Sequence, residues 1–315
     1  MNASPNPELV QLLAADLGVD ASFIEKDWHA MRLVAALNAV NNSAMRLVFS
    51  GGTSLSKGYG LIQRFSEDLD FKVVLPATGF NRNECRNYRR QLVESIRQGS
   101  PDWLLDDKDI ESRNQGRFFN CQMTYRQNFA PALALRPHIR LEITFKPPAL
   151  PFEQRPLQSF IAQAMRQSPE VTSIACVSPV ETAADKLSAL TWRVLSRQRG
   201  SKGDDPTLIR HLHDLTALEE YISAYENFPN LVVLLLAEDA RRDRDLNLST
   251  VSPIERLRRM LLCLEDDLIY ANEYEHFVVG MSYATETERP SFSQALDTVR
   301  RIINRIEFSL QTDSS

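Results

Sequence analysis

The sequence predicts an α/β protein whose C-terminal half is helical, and three observations carry that prediction. Short segments at 46–49, 68–75, 117–125 and 138–145 have strand-like apolar character, the acidic second segment alternating most clearly. Stretches with helical apolar spacing lie between and before them. Pro147, Pro148, Pro151 and Pro156 then break the regular pattern, and beyond them the chain reads mostly as helix. The expected division is a core at 1–150 and a helical domain at 151–315. With 315 residues, 43% of them hydrophobic and 24% charged, the chain can bury one large core or two modest ones.

The elements follow in order. Residues 6–17 and 22–40 read as helices, the second with Ser22 and Glu25 at capping-box spacing and an apolar stripe of Ile24, Trp28, Met31, Leu33 and Leu37. The strand at 46–49 runs into a Ser50-Gly51-Gly52 turn and a helix at 53–62. The strand at 68–75 follows Phe65, and an Arg/Glu-rich helix spans 83–98. In the second half, helices are expected at 180–196 and 207–221, the latter with Asp205 as cap and Pro206 in its first turn. The polar SRQRGSKGDD segment at 196–205, between them, reads as a mobile loop.

Composition narrows the function. A net charge of −5 argues against a uniformly basic nucleic-acid coat, while leaving room for a local basic groove. Cys85, Cys121, Cys176 and Cys263 are scattered without C-x-x-C spacing, and the five histidines form no zinc-like set with them. The N-terminal residues show no basic-then-apolar leader, so the thiols are expected to be reduced and the protein cytoplasmic. The LVVLLLA run after Asn230 is too short to span a bilayer and reads as a helix core, so no membrane partner is expected.

The chemistry concentrates between 46 and 75. A strand, two glycines, two hydroxyls and a helix form an arrangement suited to phosphate, because glycine lets backbone N–H groups approach an anion closely. Gly51, Gly52, Thr53 and Ser54 make the turn, and Lys57 lies one helical turn beyond. On the next strand Asp68, Asp70 and Lys72 share one face, Leu69, Phe71 and Val73 the other. The two carboxylates are then roughly 7 Å apart along the chain. They repel one another unless a cation compensates, and hard oxygen ligands beside phosphates suit Mg²⁺. In HIRLEITF, Glu142 joins the acids if its strand neighbours theirs, and is otherwise a surface residue. On the later helices Lys186 lies beside an apolar stripe where a snorkelling lysine fits, and Arg210 and Asp214 have the spacing of a surface ion pair.

The run GGTSLSKGYGLIQRFSEDLDF at 51–71 resembles the signature of the AbiEii family of nucleotidyltransferase toxins, found in abortive-infection and type IV toxin–antitoxin systems. The resemblance rests on Gly51, Gly52, Thr53, Ser54, Leu55, Lys57, the Arg64-Phe65-Ser66 lead-in and Asp68-Leu69-Asp70-Phe71, with IEKDW at 24–28 upstream. ETAADKL at 181–187 resembles the family's lysine motif, and RHLHDL at 210–215 its final acidic motif; the likeness spans about 20–220.

It implies a DNA polymerase β-like nucleotidyltransferase core, with the helical domain completing the active site. It also implies Mg²⁺-dependent transfer of a nucleotide from an NTP to RNA, the tRNA 3′ end, by a toxin that a separate antitoxin neutralises. Asp68 and Asp70 would hold the metal, with Glu142 as a third ligand. Gly51, Gly52, Thr53, Ser54, Lys57 and Ser66 would meet the nucleotide, Ser66 being otherwise a turn residue. Lys186 would contact the phosphates and Asp214 would act beside it. Arg86, Arg89 and Arg90, the 193–202 loop, and Arg241, Arg242 and Arg244 are the candidate RNA contacts. The competing readings are a kinase-like or protein-modifying transferase and a non-catalytic antitoxin- or RNA-binding protein.

Overall fold

The computed structural model describes residues 4–40, 45–240 and 248–312. The chain forms two compact units, Met1–Ser178 and Pro179–Ser315, so the division falls after Ser178 and not among the prolines near 150.

The first unit opens with α1 (Pro7–Leu17) and α2 (Ala21–Asn38). The cap of α2 is Asp20, whose carboxylate accepts from Ser22 N at 2.9 Å. The expected Ser22/Glu25 box does not form, because Glu25 accepts instead from Asn128 N at 2.9 Å and Asn128 Nδ2 at 2.7 Å. Then come β1 (Arg46–Ser50), α3 (Gly51–Lys57), β2 (Asp68–Val74), α4 (Arg82–Gly99), β3 (Trp103–Leu104), β4 (Ile110–Arg113), β5 (Phe118–Tyr125), β6 (Ile139–Thr144), β7 (Glu153–Leu157), α5 (Phe160–Ala164) and β8 (Val171–Cys176). The helix α3 ends at Lys57, short of the expected 62, where Gly58 caps it and Gly60 turns left-handed at φ 67°.

These strands form one sheet in the order β3-β5-β6-β2-β1-β8-β7, with β4 paired to β5. The last two strands explain the late division. Although 147–156 is broken by proline, β7 pairs with β8 and β8 runs parallel to β1, so the sheet continues through Cys176. One sheet face carries Leu47, Phe49, Leu69, Phe71, Val73, Leu141 and Ile143, covered by Met31, Leu33 and Leu37 of α2 and Tyr88, Leu92 and Ile96 of α4. Burying each such side chain stabilises the unit by about 1.5–3 kcal/mol. Alternation then turns the intervening polar residues of β2 to the other face.

His29 lies inside this core. Its Nδ1 accepts from Trp103 Nε1 at 3.1 Å, and its ring lies 4.2 Å from Tyr125. Burial pushes the imidazole down from 6.5 to about 3. The unfolded chain therefore takes up a proton below about pH 6.5 that the folded chain refuses until about pH 3. Stability falls through that window, by up to roughly 1.4 kcal/mol per pH unit for this one group. Urea titrations at pH 7 and pH 5 are expected to show the loss, and His29→Gln to flatten the slope by about one proton. An unchanged slope in the variant would contradict it.

The second unit is helical: α6 (Pro179–Leu195), a 3₁₀ turn at Pro206–Ile209, α7 (Arg210–Ala217), α8 (Glu219–Ala224), α9 (Phe228–Asp239), α10 (Pro253–Asp266), α11 (Ile269–Met281) and α12 (Phe292–Thr312). The expected 207–221 helix is thus three pieces, although Asp205 does cap its start by accepting from Thr207 N at 3.1 Å. The LVVLLLA run lies in α9, which buries Leu231, Val232, Leu235 and Leu236. Among the described residues no helix is long and apolar enough to cross a membrane. All four cysteines are unpaired.

Candidate active site

The acidic strand lies in the middle of the sheet. The residue β2 pairs place Asp70 opposite Ser50 of β1 on one side and Glu142 of β6 on the other. Asp68, Asp70 and Glu142 therefore share the face turned away from α2 and α4. Glu142 is nonetheless engaged elsewhere, with Arg140 Nη2 2.6 Å from its Oε1. Among the described residues no three His, Cys, Asp or Glu side chains are gathered as a metal site, and Glu142 stays a candidate third ligand by its register opposite Asp70.

The glycine turn is shaped around the second acid. Gly51 adopts φ 73°, and a Cβ there would lie 2.1 Å from Asp70 Oδ2. At Gly52 a Cβ would lie 2.8 Å from Arg64 Nη2 and 2.9 Å from Ser66 Oγ. Both glycines thus let charged or polar groups of the following segment close onto the turn. Thr53 Oγ1 donates to the Asp68 carbonyl at 2.7 Å, tying the helix start to the start of β2. Ser54 is buried, with its hydroxyl beside the Cys176 thiol.

Lys57 is also turned inward. Its ammonium lies 2.7 Å from Asp27 Oδ1 and 3.4 Å from the centroid of the Phe160 ring. Asp27 also accepts from Phe160 N at 2.8 Å. Burial pushes the lysine down and the aspartate up, each against the attraction of the other. In this arrangement its charge links α2 to α3 inside the fold.

The IEKDW segment thus contributes three buried charges in succession. Glu25 holds the 128–129 backbone, Asp27 holds Lys57, and Lys26 lies 2.8 Å from Glu67 Oε1. The Lys26 ammonium also donates to the Arg136 carbonyl at 2.9 Å, and Glu67 accepts from Arg136 N at 2.6 Å. Burial opposes the charge on Glu67, but Lys26 and then Arg136 outweigh it and lower its pKa. The Arg136 guanidinium reaches Asp68, with Nη1 3.1 Å from Oδ1. That contact is an ion pair without hydrogen-bond geometry, and Asp68 Oδ1 remains buried with no hydrogen bond. Glu67, Arg136 and the buried Arg64 were not singled out as site residues from the sequence. Only the motif lead-in at 64–66 signalled Arg64; nothing local signalled Arg136.

The orphaned oxygen tests the fit of a metal. Mg²⁺ is commonly held by one or two carboxylates, with water and phosphate oxygens completing its shell. Asp68 and Asp70 fit that role, with Asp68 Oδ1 unsatisfied and Asp70 held against the turn.

Gly51→Ala tests the turn. The added methyl meets Asp70 Oδ2 at 2.1 Å on a left-handed backbone, so the carboxylate must move. Gly60 has a similar φ of 67° but nothing within 4 Å. Both variants bear the left-handed strain of roughly 1–2 kcal/mol, and Gly51→Ala alone is expected to lose the activity of the site. Thermal unfolding and turnover measured side by side check this, and equal activity in the two variants would contradict it.

In the helical unit, Lys186 of α6 and Asp214 of α7 form a buried ion pair with Nζ 2.5 Å from Oδ2. His213 Nδ1 lies 3.4 Å from the other Asp214 oxygen. The expected Arg210–Asp214 pair does not form; Arg210 bonds to Asp205 at 3.1 Å and to Thr207 Oγ1 at 2.6 Å. Burial pushes His211 far below the usual imidazole range, and neither of its ring nitrogens has a hydrogen-bond partner.

The candidate RNA contacts separate into three cases. The 193–202 segment is tied down and not presented as a mobile basic loop. Arg193 pairs with Asp205 at 2.6 Å, Arg197 with Asp204 at 2.8 Å and Glu273 at 2.7 Å, and Arg199 with Asp267 at 2.5 Å. On α4, Arg86 and Arg90 are exposed, while Arg89 donates to the Gly116 carbonyl at 2.6 Å. Arg241, Arg242 and Arg244 lie outside the described residues.

Comparison with known proteins adds independent findings. The family model described as nucleotidyl transferase AbiEii toxin, type IV toxin–antitoxin system, matches residues 32–298. MenT4, a nucleotidyltransferase toxin from Mycobacterium tuberculosis H37Rv, is similar in structure with a TM-score of 0.51 at 21% identity, over 92% of this chain and 98% of that one. A candidate nucleotidyltransferase from H. pylori aligns with a TM-score of 0.43 at 16% identity, over 91% of this chain and 96% of that one. Among curated proteins none matches the chain significantly.

Proposed function

The chain belongs to the AbiEii family of nucleotidyltransferase toxins, and on that premise we propose that it transfers a nucleotide from an NTP to the 3′ end of RNA, a tRNA, in a Mg²⁺-dependent reaction. The observation that carries this reading is the pair Asp68 and Asp70 on one face of the sheet, one with a buried oxygen that makes no hydrogen bond and the other seated against Gly51. Magnesium, when bound, would neutralise charge on the triphosphate and polarise it. The chain's own part is to orient the reactants. Asp68 and Asp70 would hold that ion beside the triphosphate, and the turn holds Asp70 in place. The RNA hydroxyl then displaces pyrophosphate from the α-phosphorus and releases its proton to water. Such transfer depends mainly on positioning and electrostatics, so few groups suffice.

An RNA acceptor is supported by α4. Arg82, Arg86 and Arg90 recur every fourth residue on its exposed side, and none has an ion-pair partner among the described residues. A row of exposed guanidinium groups without carboxylate partners suits a phosphate backbone. A toxin of this kind requires a separate antitoxin in the cell that makes it.

The test is incubation of the protein with total RNA and each labelled triphosphate, at low and high salt. Label is expected on RNA of tRNA length, with one triphosphate preferred and the yield falling steeply with salt. Expression without the antitoxin is expected to slow growth. Label on protein and never on RNA would overturn the acceptor and favour protein modification.

A further inference from the structure

Asp68 is not bare in this structure: Arg136 lies where a cation would act on it. The guanidinium Nη1 is 3.1 Å from Asp68 Oδ1, and Nη2 is 3.4 Å from Oδ2. The backbone of Arg136 is fixed without help from that contact, its N–H given to Glu67 at 2.6 Å and its carbonyl accepting from Lys26 at 2.9 Å. Lys26 and Glu67 also neutralise one another at 2.8 Å, which leaves Arg136 as the charge facing Asp68. Its side chain is 36% exposed, in contrast to the 6% of Lys26, so it has room to change rotamer while its backbone stays anchored.

A divalent cation and a guanidinium cannot both lie against one carboxylate without strong repulsion. Phosphate oxygens offer the guanidinium an alternative bidentate partner. We infer that Arg136 is a positioning residue that stands in for the metal on Asp68, opposes binding of bare metal, and transfers to the triphosphate when metal and nucleotide arrive together. This rests on the metal role proposed above for Asp68. It makes the site selective for the metal–triphosphate complex over either component alone. Glu67 takes part by keeping the Arg136 side chain within reach, with Nε 3.2 Å from its Oε2.

The experiment uses the full chain and Mn²⁺ as a spectroscopic probe, with free Mn²⁺ followed by electron paramagnetic resonance. Removal of one positive charge about 5 Å from a divalent ion in a solvated site corresponds to about tenfold in affinity. Arg136→Gln is therefore expected to bind Mn²⁺ alone about tenfold more tightly than wild type, and inorganic tripolyphosphate without metal several-fold more weakly. Arg136→Lys keeps the charge and is expected to stay within about threefold of wild type for Mn²⁺. Asp68→Asn is expected to abolish the Arg136-sensitive Mn²⁺ binding. Mn²⁺ affinity that is unchanged or weaker in folded Arg136→Gln, while Asp68→Asn still abolishes binding, would overturn the Arg136 role alone. Tightening of similar size in Arg136→Lys would overturn the electrostatic account. Mn²⁺ binding insensitive to Asp68→Asn would overturn the metal assignment and this inference together.

Discussion

Asp70→Asn and Asp68→Asn are each expected to lower nucleotide transfer by roughly a thousandfold or more while leaving the fold intact, because each removes a ligand charge from the proposed metal site. The two variants differ in stability for a structural reason. Asparagine at 70 keeps the shape that fits against Gly51 and relieves repulsion between neighbouring carboxylates, so its thermal midpoint should equal or slightly exceed that of wild type. Asparagine at 68 also leaves the Arg136 guanidinium without its ionised partner at 3.1 Å. Since that arginine is partly exposed, the cost is expected to be about 1 kcal/mol or less. Turnover and thermal unfolding on the same preparations check both statements, and full activity in either variant would sink the assignment.

The second large effect belongs to Lys186. Its ammonium and the Asp214 carboxylate are buried at 2.5 Å from each other, so Lys186→Ala strands an uncompensated charge. Breaking one side of such a pair costs about 3–5 kcal/mol, so an activity loss in the single variant is ambiguous. The informative protein is the double variant Lys186→Met with Asp214→Asn, which removes both charges and should recover much of the stability. If Lys186 acts on the phosphates, as the family resemblance implies, turnover stays down by roughly a hundredfold or more in the double variant despite the restored fold. Lys202→Ala, on an exposed position, should change little. Recovery of turnover along with stability would make the pair structural and nothing more.

The sequence showed the face-sharing of Asp68 and Asp70 because alternation along one strand is a local property. It also placed Glu142 on a strand of the right parity, and the β2–β6 register confirms that shared face. What it could not show was competition for those charges. The ion partners of Glu142, Lys57 and Arg199 come from Arg140, Asp27 and Asp267, and the last two lie far away in sequence. A polar stretch such as SRQRGSKGDD reads as solvated when its acceptors on α11 are out of view, yet the fold makes it a tied corner. The strand at Glu153–Leu157 escaped notice for a related reason: a charged, proline-bearing edge strand lacks the apolar alternation that marks strands buried on one side. The Arg136 contact with Asp68 likewise depends on a connection between β5 and β6 folding back onto β2.

If the Asp68/Asp70 face carries out nucleotidyl transfer, the position of an isotope in the triphosphate decides where label goes. The protein is incubated with Mg²⁺, RNA and the preferred triphosphate, labelled in one set at the α-phosphate and in the other at the γ-phosphate, with Asp70→Asn as control. Nucleotidyl transfer places the α-label on the RNA 3′ end, leaves the γ-label in released pyrophosphate, and fails in the Asp70→Asn protein. Transfer of the γ-label to any acceptor without the α-label, or undiminished α-label transfer by Asp70→Asn, would contradict the account.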